Sequence, residues 1–218
     1  MSYYPVFLDL RGRPCLVVGG GSVAHAKIVR LLRAGAVITV VAPTVVELIE
    51  ALAARGEVTI VARPYVSADI RGFQVVVAAT DDAEVNRRVA SDARCAELLV
   101  NVADAPEISR FIAPAVLERG KLQIAVSTSG VSPAFATFIR DQVANVIGPE
   151  FATALTILGR VRERLRSRTM EDRRRIQRAI AEGGLAERIR RRDHAGIDGL
   201  LRAALGEGAT LRDLGVEL

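Results

Sequence analysis

Three consecutive glycines, Gly19-Gly20-Gly21, followed by Ser22, Val23 and Ala24, have the spacing to hold a phosphate-bearing ligand. The run fits G-x-G-x-x-A and falls between a strand-like and a helix-like segment, where a dinucleotide fingerprint belongs. Gly19 would permit the tight turn and Gly21 would let the backbone approach a pyrophosphate. Ala24 would let the helix pack closely on the strand, and the N–H groups at Ser22 and Val23 would face the anion. A tight strand-to-helix turn with no ligand would use the same glycines, so both readings stand on these residues. Sites of this kind usually carry Asp or Glu ~20 residues further on for the ribose hydroxyls. Here that place holds Val41-Ala42-Pro43-Thr44, which leaves the Thr44 hydroxyl and backbone groups for the ribose.

Three later runs add candidate chemistry. In Ala79-Thr80-Asp81-Asp82, an aspartate would cap the next helix, and Thr80 would stand beside a cofactor at the carboxyl end of a strand. In Asn101-Val102-Ala103-Asp104-Ala105-Pro106, Asp104 projects from the end of a later strand. A carboxylate there serves as general base or orients a cationic, NH-bearing substrate; equally, Asp initiates turns such as the one into Ala105-Pro106. In Ser127-Thr128-Ser129-Gly130-Val131-Ser132-Pro133, Ser132 with Pro133 behind it is a helix start. Thr128 and Ser129, together with Asn101, are candidate substrate contacts.

These residues need a frame. Cys15 to Gly19, Val37 to Val41, Val58 to Val61, Gln74 to Ala79 and Leu98 to Val102 read as buried strands. Helical spacing joins Val23, Ala26, Ile28, Leu31 and Leu32 between Ser22 and Ala34, and recurs over Val45 to Arg55 and Asp82 to Cys95. Alternating strands and helices of this size predict a parallel α/β sheet of Rossmann type, ending near residue 113. Pro114 to Arg119 reads as a short helix, Leu122 to Val126 as a strand and Ser132 to Val146 as a helix. So little sheet needs partners, either the first sheet or a second copy of the chain. Past Gly148-Pro149 the pattern is helical to Leu218, with Phe151, Leu155, Leu158, Val161 and Leu165 as one stripe and breaks at Gly183-Gly184 and Gly206 to Gly208.

Composition narrows the field. The 218 residues are half hydrophobic and a quarter charged, with no apolar run near the ~20 residues that cross a bilayer. No signal-peptide pattern opens the sequence, so a cytoplasmic location is expected. The net charge is +5, and Lys27 and Lys121 are the only lysines among the basic residues. Such a balance suits an anionic partner. Cys15 and Cys95 are far apart and read as buried small hydrophobes. With His25 and His194 the only histidines, no His/Cys metal site is expected. His25 reads as a packing or surface residue and His194 as part of a solvated face.

The ordered set of Pro5-Val-Phe-Leu, Arg11, Cys15-Leu-Val-Val-Gly-Gly-Gly-Ser-Val-Ala24, Lys27, Ala78-Ala-Thr-Asp-Asp82, Val85-Asn86, Asn101-Val-Ala-Asp-Ala-Pro106, Phe111-Ile112, Pro114 and Ser132-Pro133 resembles the precorrin-2 dehydrogenase module. That module occurs alone and as the N-terminal half of multifunctional siroheme synthases. The resemblance is closest over residues 1–147 and looser over the helical tail. It implies an NAD-binding Rossmann domain over 1–113, a dimerisation segment over 114–147 and a helical domain over 148–218 that helps enclose a tetrapyrrole. It implies a homodimer that oxidises precorrin-2 to sirohydrochlorin with NAD as hydride acceptor. Asp104 holds the place of the family's key acid. The Gly19 to Val23 turn with Pro43 and Thr44 matches its NAD contacts, and the family does without the missing ribose acid. Thr128 stands where fused relatives carry serine.

With no methyltransferase domain in the 218 residues, a separate protein would supply precorrin-2. Some relatives also insert Fe²⁺ into sirohydrochlorin at the same aspartate. A different class of reading is an NAD(H)-sensing regulator whose arginine-rich tail binds nucleic acid. No helix-turn-helix pattern is evident, and Glu163, Glu171, Asp172 and Glu187 interrupt the basic stretches. Neither a nucleic-acid nor a membrane partner is therefore expected.

Overall fold

The computed structural model describes residues 3–218, which divide into two compact units, one running to Ala113 and the other from Pro114 to Leu218. In the first unit five strands, β1 (Pro14–Val18), β2 (Val37–Val41), β3 (Val58–Val61), β4 (Val75–Ala78) and β5 (Leu99–Val102), form an all-parallel sheet in the order β3-β2-β1-β4-β5. Three helices connect them: α1 (Ser22–Arg33), α2 (Glu47–Ala54) and α3 (Ala83–Cys95). The two halves of the sheet diverge between β1 and β4, and ligands of such sheets bind at the carboxyl ends beside that switch point.

Alternating side chains of β1 feed two cores. Cys15 and Val17 pack with Ile38, Val40, Val75 and Val77 under α1 and α2, and burial pushes the Cys15 thiol up to about 11. Leu16 and Val18 pack with Val76, Val100, Val89 and Ala93 under α3. Covered on both faces, the central strands can be apolar without interruption, which is why they read so clearly in the sequence.

Two details of this unit differ from the sequence reading. The inward face of α1 is Ala24, Ile28, Leu31 and Leu32, while Val23 and Ala26 face outward. Cys95, expected inside, is exposed in the last turn of α3.

The second unit holds both the segment expected at 114–147 and the helices expected at 148–218. Its first element is a strand and not the expected helix: β6 (Ala115–Arg119) pairs antiparallel with β7 (Leu122–Val126), Arg119 opposite Leu122. Gly120, at φ +58°, makes the turn. Pairing within this hairpin overrides the helix propensity of Leu, Glu and Arg, and β7 is the strand that pairs with β6. α4 (Pro133–Val146) packs on the hairpin, with the Ser132 hydroxyl accepting from the Phe135 N–H at 3.2 Å and Pro133 in the first turn, as expected.

Helices α5 (Glu150–Arg164), α6 (Met170–Glu182), α7 (Leu185–Arg190) and α8 (His194–Leu205) surround a separate core of Ala154, Ile157, Val161, Leu165, Ile180, Leu185, Ile197 and Leu201. On α5 the expected Val161 and Leu165 are in the core and Leu158 packs against it, but Leu155 is exposed and Ala154 and Ile157 take inner positions. His194 is exposed, as the sequence suggested.

At the start of α5 the buried Glu150 carboxylate accepts from Arg190 Nε at 3.1 Å. That bond, more than any other cause, holds the carboxyl below the ordinary glutamate range. Glu150→Ala deletes the pair and leaves the exposed Arg190 to water, so it should lower the melting temperature of the full chain by a few degrees. The contribution of the pair is complete above the ordinary glutamate range and drains away as pH falls from that range through the lowered one. The melting temperatures of wild type and Glu150→Ala should therefore converge between neutral pH and pH 3.

Candidate active site

Four strand ends of the first unit surround a cleft of about 860 Å³, within the usual range for a small-molecule site. After β1 come Gly19, Gly20, Gly21, Ser22 and Val23; after β2, Ala42, Pro43 and Thr44; after β4, Ala79, Thr80, Asp81 and Asp82; after β5, Ala103 and Asp104. Every cofactor position read from the sequence, Gly19, Gly21, Ser22, Val23, Pro43, Thr44 and Thr80, lines this cleft, as does Asp104.

The three glycines are not equivalent. Gly19 sits at φ +126°, and a Cβ on it would run into the Ala79 carbonyl oxygen. A Cβ on Gly20 would meet the Thr44 carbonyl oxygen, while one on Gly21 would enter open space. Backbone bonds fix the contact: Gly19 N–H donates to Val41 O at 3.0 Å and Val46 N–H to Gly20 O at 2.8 Å. Gly20 is a structural requirement that the G-x-G pattern treats as free. A third glycine where two suffice was the available signal.

Helix α1 starts at Gly21 with no side-chain cap and no acid in its first turn. By contrast α3 is capped by Asp82, whose carboxylate accepts from Glu84 N–H at 2.8 Å and Val85 N–H at 3.2 Å. An uncapped helix start beside a glycine with outward space fits the pyrophosphate of a dinucleotide. Val23, 48% exposed, is an apolar face at its entrance.

Thr80 answers both readings of its run, since it lines the cleft while its hydroxyl is engaged at home. The Thr80 Oγ1 donor has Asn86 Oδ1 at 2.8 Å and the Asp82 carbonyl at 2.9 Å as acceptors, and Asn86 Nδ2 donates back to Thr80 O at 2.9 Å. What Thr80 offers the cleft is a rigid backbone and a methyl group. The buried Asn86 that fixes it carries no signal as a lone asparagine within a helical pattern.

Asp104 is exposed in a left-handed turn, φ +56°, which a short polar side chain tolerates better than most. Ser109 braces the turn: its hydroxyl accepts from Val102 N–H and donates to Ala105 O, both at 2.9 Å. Asp104 is thus a turn residue and a cleft residue together.

Asn101, proposed as a substrate contact, is 6% exposed and does not line the cleft. Its Nδ2 donates to Phe111 O at 3.0 Å and its Oδ1 accepts from Lys27 Nζ at 3.1 Å. Its amide therefore joins α1 to the chain after β5, and that role replaces substrate contact. Thr128 and Ser129 lie in the second unit. There Thr128 Oγ1 donates to Ser132 O at 2.9 Å and accepts from Ser132 N–H at 3.1 Å, and Ser129 is left-handed at φ +54°.

A further wall of the cleft carries no sequence signal. Pro64, Tyr65 and Arg88 line it. The Arg88 guanidinium sits 5.2 Å from the Tyr65 ring centre and donates to the Tyr65 carbonyl. The Tyr65 hydroxyl donates to Asp92 at 2.9 Å; burial first, then that bond, push its pKa up. Among the described residues no three His, Cys, Asp or Glu side chains gather as a metal-ion site, and no helix is long and apolar enough to cross a membrane.

A parallel sheet with a glycine turn and an open helix start at its switch point defines a dinucleotide-binding protein of Rossmann type. Residues 6–115 match the family described as "Putative NAD(P)-binding", and residues 119–145 match "Sirohaem biosynthesis protein central". The chain is 42% identical to a siroheme synthase of Methylococcus capsulatus over 79% of its own length and 36% of that protein's. It is 38% identical to one of Chromobacterium violaceum over 97% and 46%. It spans less than half the length of these relatives. A solved structure, "SirC, precorrin-2 dehydrogenase", superposes with a TM-score of 0.75 at 28% identity, covering 91% of this chain and 98% of that one. The chain belongs to the siroheme synthase/precorrin-2 dehydrogenase family, and NAD is its cofactor.

The unequal glycines separate fold from binding. Gly20→Ala should lower the melting temperature of the full chain by several degrees, as an overpacked backbone contact does. Gly21→Ala should leave melting unchanged and weaken NAD about tenfold or more by calorimetry, because its Cβ points only at the ligand.

Proposed function

We propose that the chain catalyses NAD-dependent oxidation of precorrin-2 to sirohydrochlorin. The observation that carries this reading is that Asp104 lines the same cleft as the glycine turn and the open start of α1. The family membership and the printed activity of the SirC relative support it.

The reaction removes a hydride from a ring carbon and a proton from the macrocycle. NAD, when bound, is the hydride acceptor. The chain's own residues do the rest. Gly19, Gly21, Ser22 and Val23 would hold the NAD pyrophosphate, and Pro43, Thr44 and the Thr80 backbone would line the rest of the cofactor's path. Asp104 faces the macrocycle, orients its N–H groups and accepts the departing proton. A net charge of +5 favours approach of a substrate fringed with carboxylates.

The active species in this reading is a homodimer in the cytoplasm, fed with precorrin-2 by a separate methyltransferase, and neither nucleic acid nor membrane is a partner. Phe135 and Phe138 on α4, with ring centres 5.9 Å apart, are 54% and 52% exposed; Val131 and Val146 are also exposed. An apolar face of this kind supports self-association through residues 114–147.

Mixing full chain, NAD and precorrin-2 should produce NADH with sirohydrochlorin absorbance, and simple hydroxy acids should give none. Asp104→Ala should reduce kcat at least about a hundredfold with NAD affinity unchanged; normal turnover in that variant removes Asp104 from the mechanism. Phe135→Glu with Phe138→Glu should shift the sedimentation of the full chain from dimer to monomer, and an unchanged profile would exclude this face.

A further inference from the structure

Lys27 and Arg30 are three residues apart on α1, on one face of the helix. Like charges at this spacing cost helix stability. Arg30 sits in the last turn, where the helix dipole favours a cation, but Lys27 lies before that turn, and among the described residues neither side chain makes an ion pair. Lys27 is half-buried and its ammonium carries three donors, of which the bond to Asn101 uses one. That bond cannot invert, because the amide's other end must donate to Phe111 O. A buried neutral side chain thus holds a cation in place and leaves two of its N–H groups free. Burial, then the repulsion of Arg30, lower the Lys27 pKa, and the Asp104 carboxylate opposes both. The partner of Lys27, Asn101, lies at the end of β5, three residues before Asp104, so Lys27 stands behind the strand end that carries the cleft's acid and outside the cleft lining itself.

We infer that Lys27 and Arg30 form a carboxylate-binding site beside Asp104, and that it takes a rim carboxylate of the macrocycle. The identity of the ligand rests on the function proposed above. The site's chemistry does not. An anion here relieves the repulsion of the pair and fills the open donors of a partly desolvated ammonium, whose hydrogen bonds to a carboxylate are the strong, charge-assisted kind. Opposite charges side by side also explain how a flat ring keeps one register: Asp104 takes the N–H groups of the ring and the cations take its edge. Arg30 supplies attraction from the exposed side, while Lys27, pinned by Asn101, supplies direction. Asn101 thereby bears on the substrate through Lys27, as a positioning residue.

The test uses the full chain loaded with NAD and the octacarboxylate uroporphyrin III as probe, followed by porphyrin fluorescence at low salt. Lys27→Gln should weaken binding about tenfold and Arg30→Gln about threefold, while Lys27→Arg stays within about threefold of wild type. NAD affinity should hold in all three and the melting temperature in Arg30→Gln, while Lys27→Gln, which takes the donor from the buried Asn101 Oδ1, should melt a few degrees lower. With precorrin-2, Lys27→Gln should raise KM about tenfold and change kcat little, the signature of lost substrate binding. Unchanged porphyrin affinity in Lys27→Gln, or in the exposed Arg30→Gln should Lys27→Gln not fold, overturns the site, as does absence of saturable binding by wild type. If wild type binds the porphyrin through this pair but forms no NADH from precorrin-2, the site stands and the proposed reaction falls.

Discussion

Two carbonyl groups press on the glycine turn, and the cleft exists because nothing stands between them and the backbone. The Ala79 oxygen closes on Gly19 from β4 and the Thr44 oxygen closes on Gly20 from the loop after β2. The turn is therefore clamped by the strands on either side of β1. Those neighbours are the two halves of the sheet, so the clamp sets the width of the switch point and the direction in which α1 leaves it. Each contact is about one atom thick, and a single methyl group is too much. Packing in a protein interior is dense enough that such a fit cannot be relaxed locally.

With the turn fixed, the remaining parts of the site are held by polar groups that never touch a ligand. Asn86 locks Thr80, Ser109 braces the turn of Asp104, and Asn101 ties α1 to the chain beyond β5. Two of them, Asn86 and Asn101, are buried, and both sides of their amides are bonded. A half-satisfied amide in the same place would cost more than an apolar side chain. Rigidity is the return: the strand ends that face the cofactor are supported from behind by bonds that water does not contest.

Much of this frame is legible in the sequence, and the errors have physical causes. Strands covered on both faces read as unbroken apolar runs, and β2 and β3 come out with their observed ends. Exposed ends are less constrained, so Pro114 to Arg119 reads as a helix by propensity although it carries β6. Only pairing with β7 decides that case, and pairing is a long-range fact. On α5 the same apolar count fits two stripes a residue apart, because Leu155 and Ala154 differ only in which neighbour they find. Val23 obeys helical spacing yet faces outward, since the first turn of α1 borders the cleft. At the site, Asp104, Thr80 and the glycines announce themselves through their place at strand ends. Asn101 sits in the same run but one pleat away, and its side chain points into the packing under α1. Tyr65 and Arg88 come from elements with no motif, brought together only by the fold.

Charge is arranged with similar economy. No acid occupies the first turn of α1, so the helix start keeps its positive end for an anion. Further along the same helix Lys27 and Arg30 continue that sign, and Asp104 is the negative group whose field reaches Lys27. Arg88 is tied to Tyr65 on the β3 side of the cleft. One helix thus begins at the cleft with its start open and carries its cations further along, Lys27 bonded to the strand that leads to the acid. The glycine clamp that sets the direction of α1 sets where those cations fall. A shift of the turn by the width of a methyl group would swing both, so cofactor geometry and charge placement are a single constraint expressed at two points of one helix.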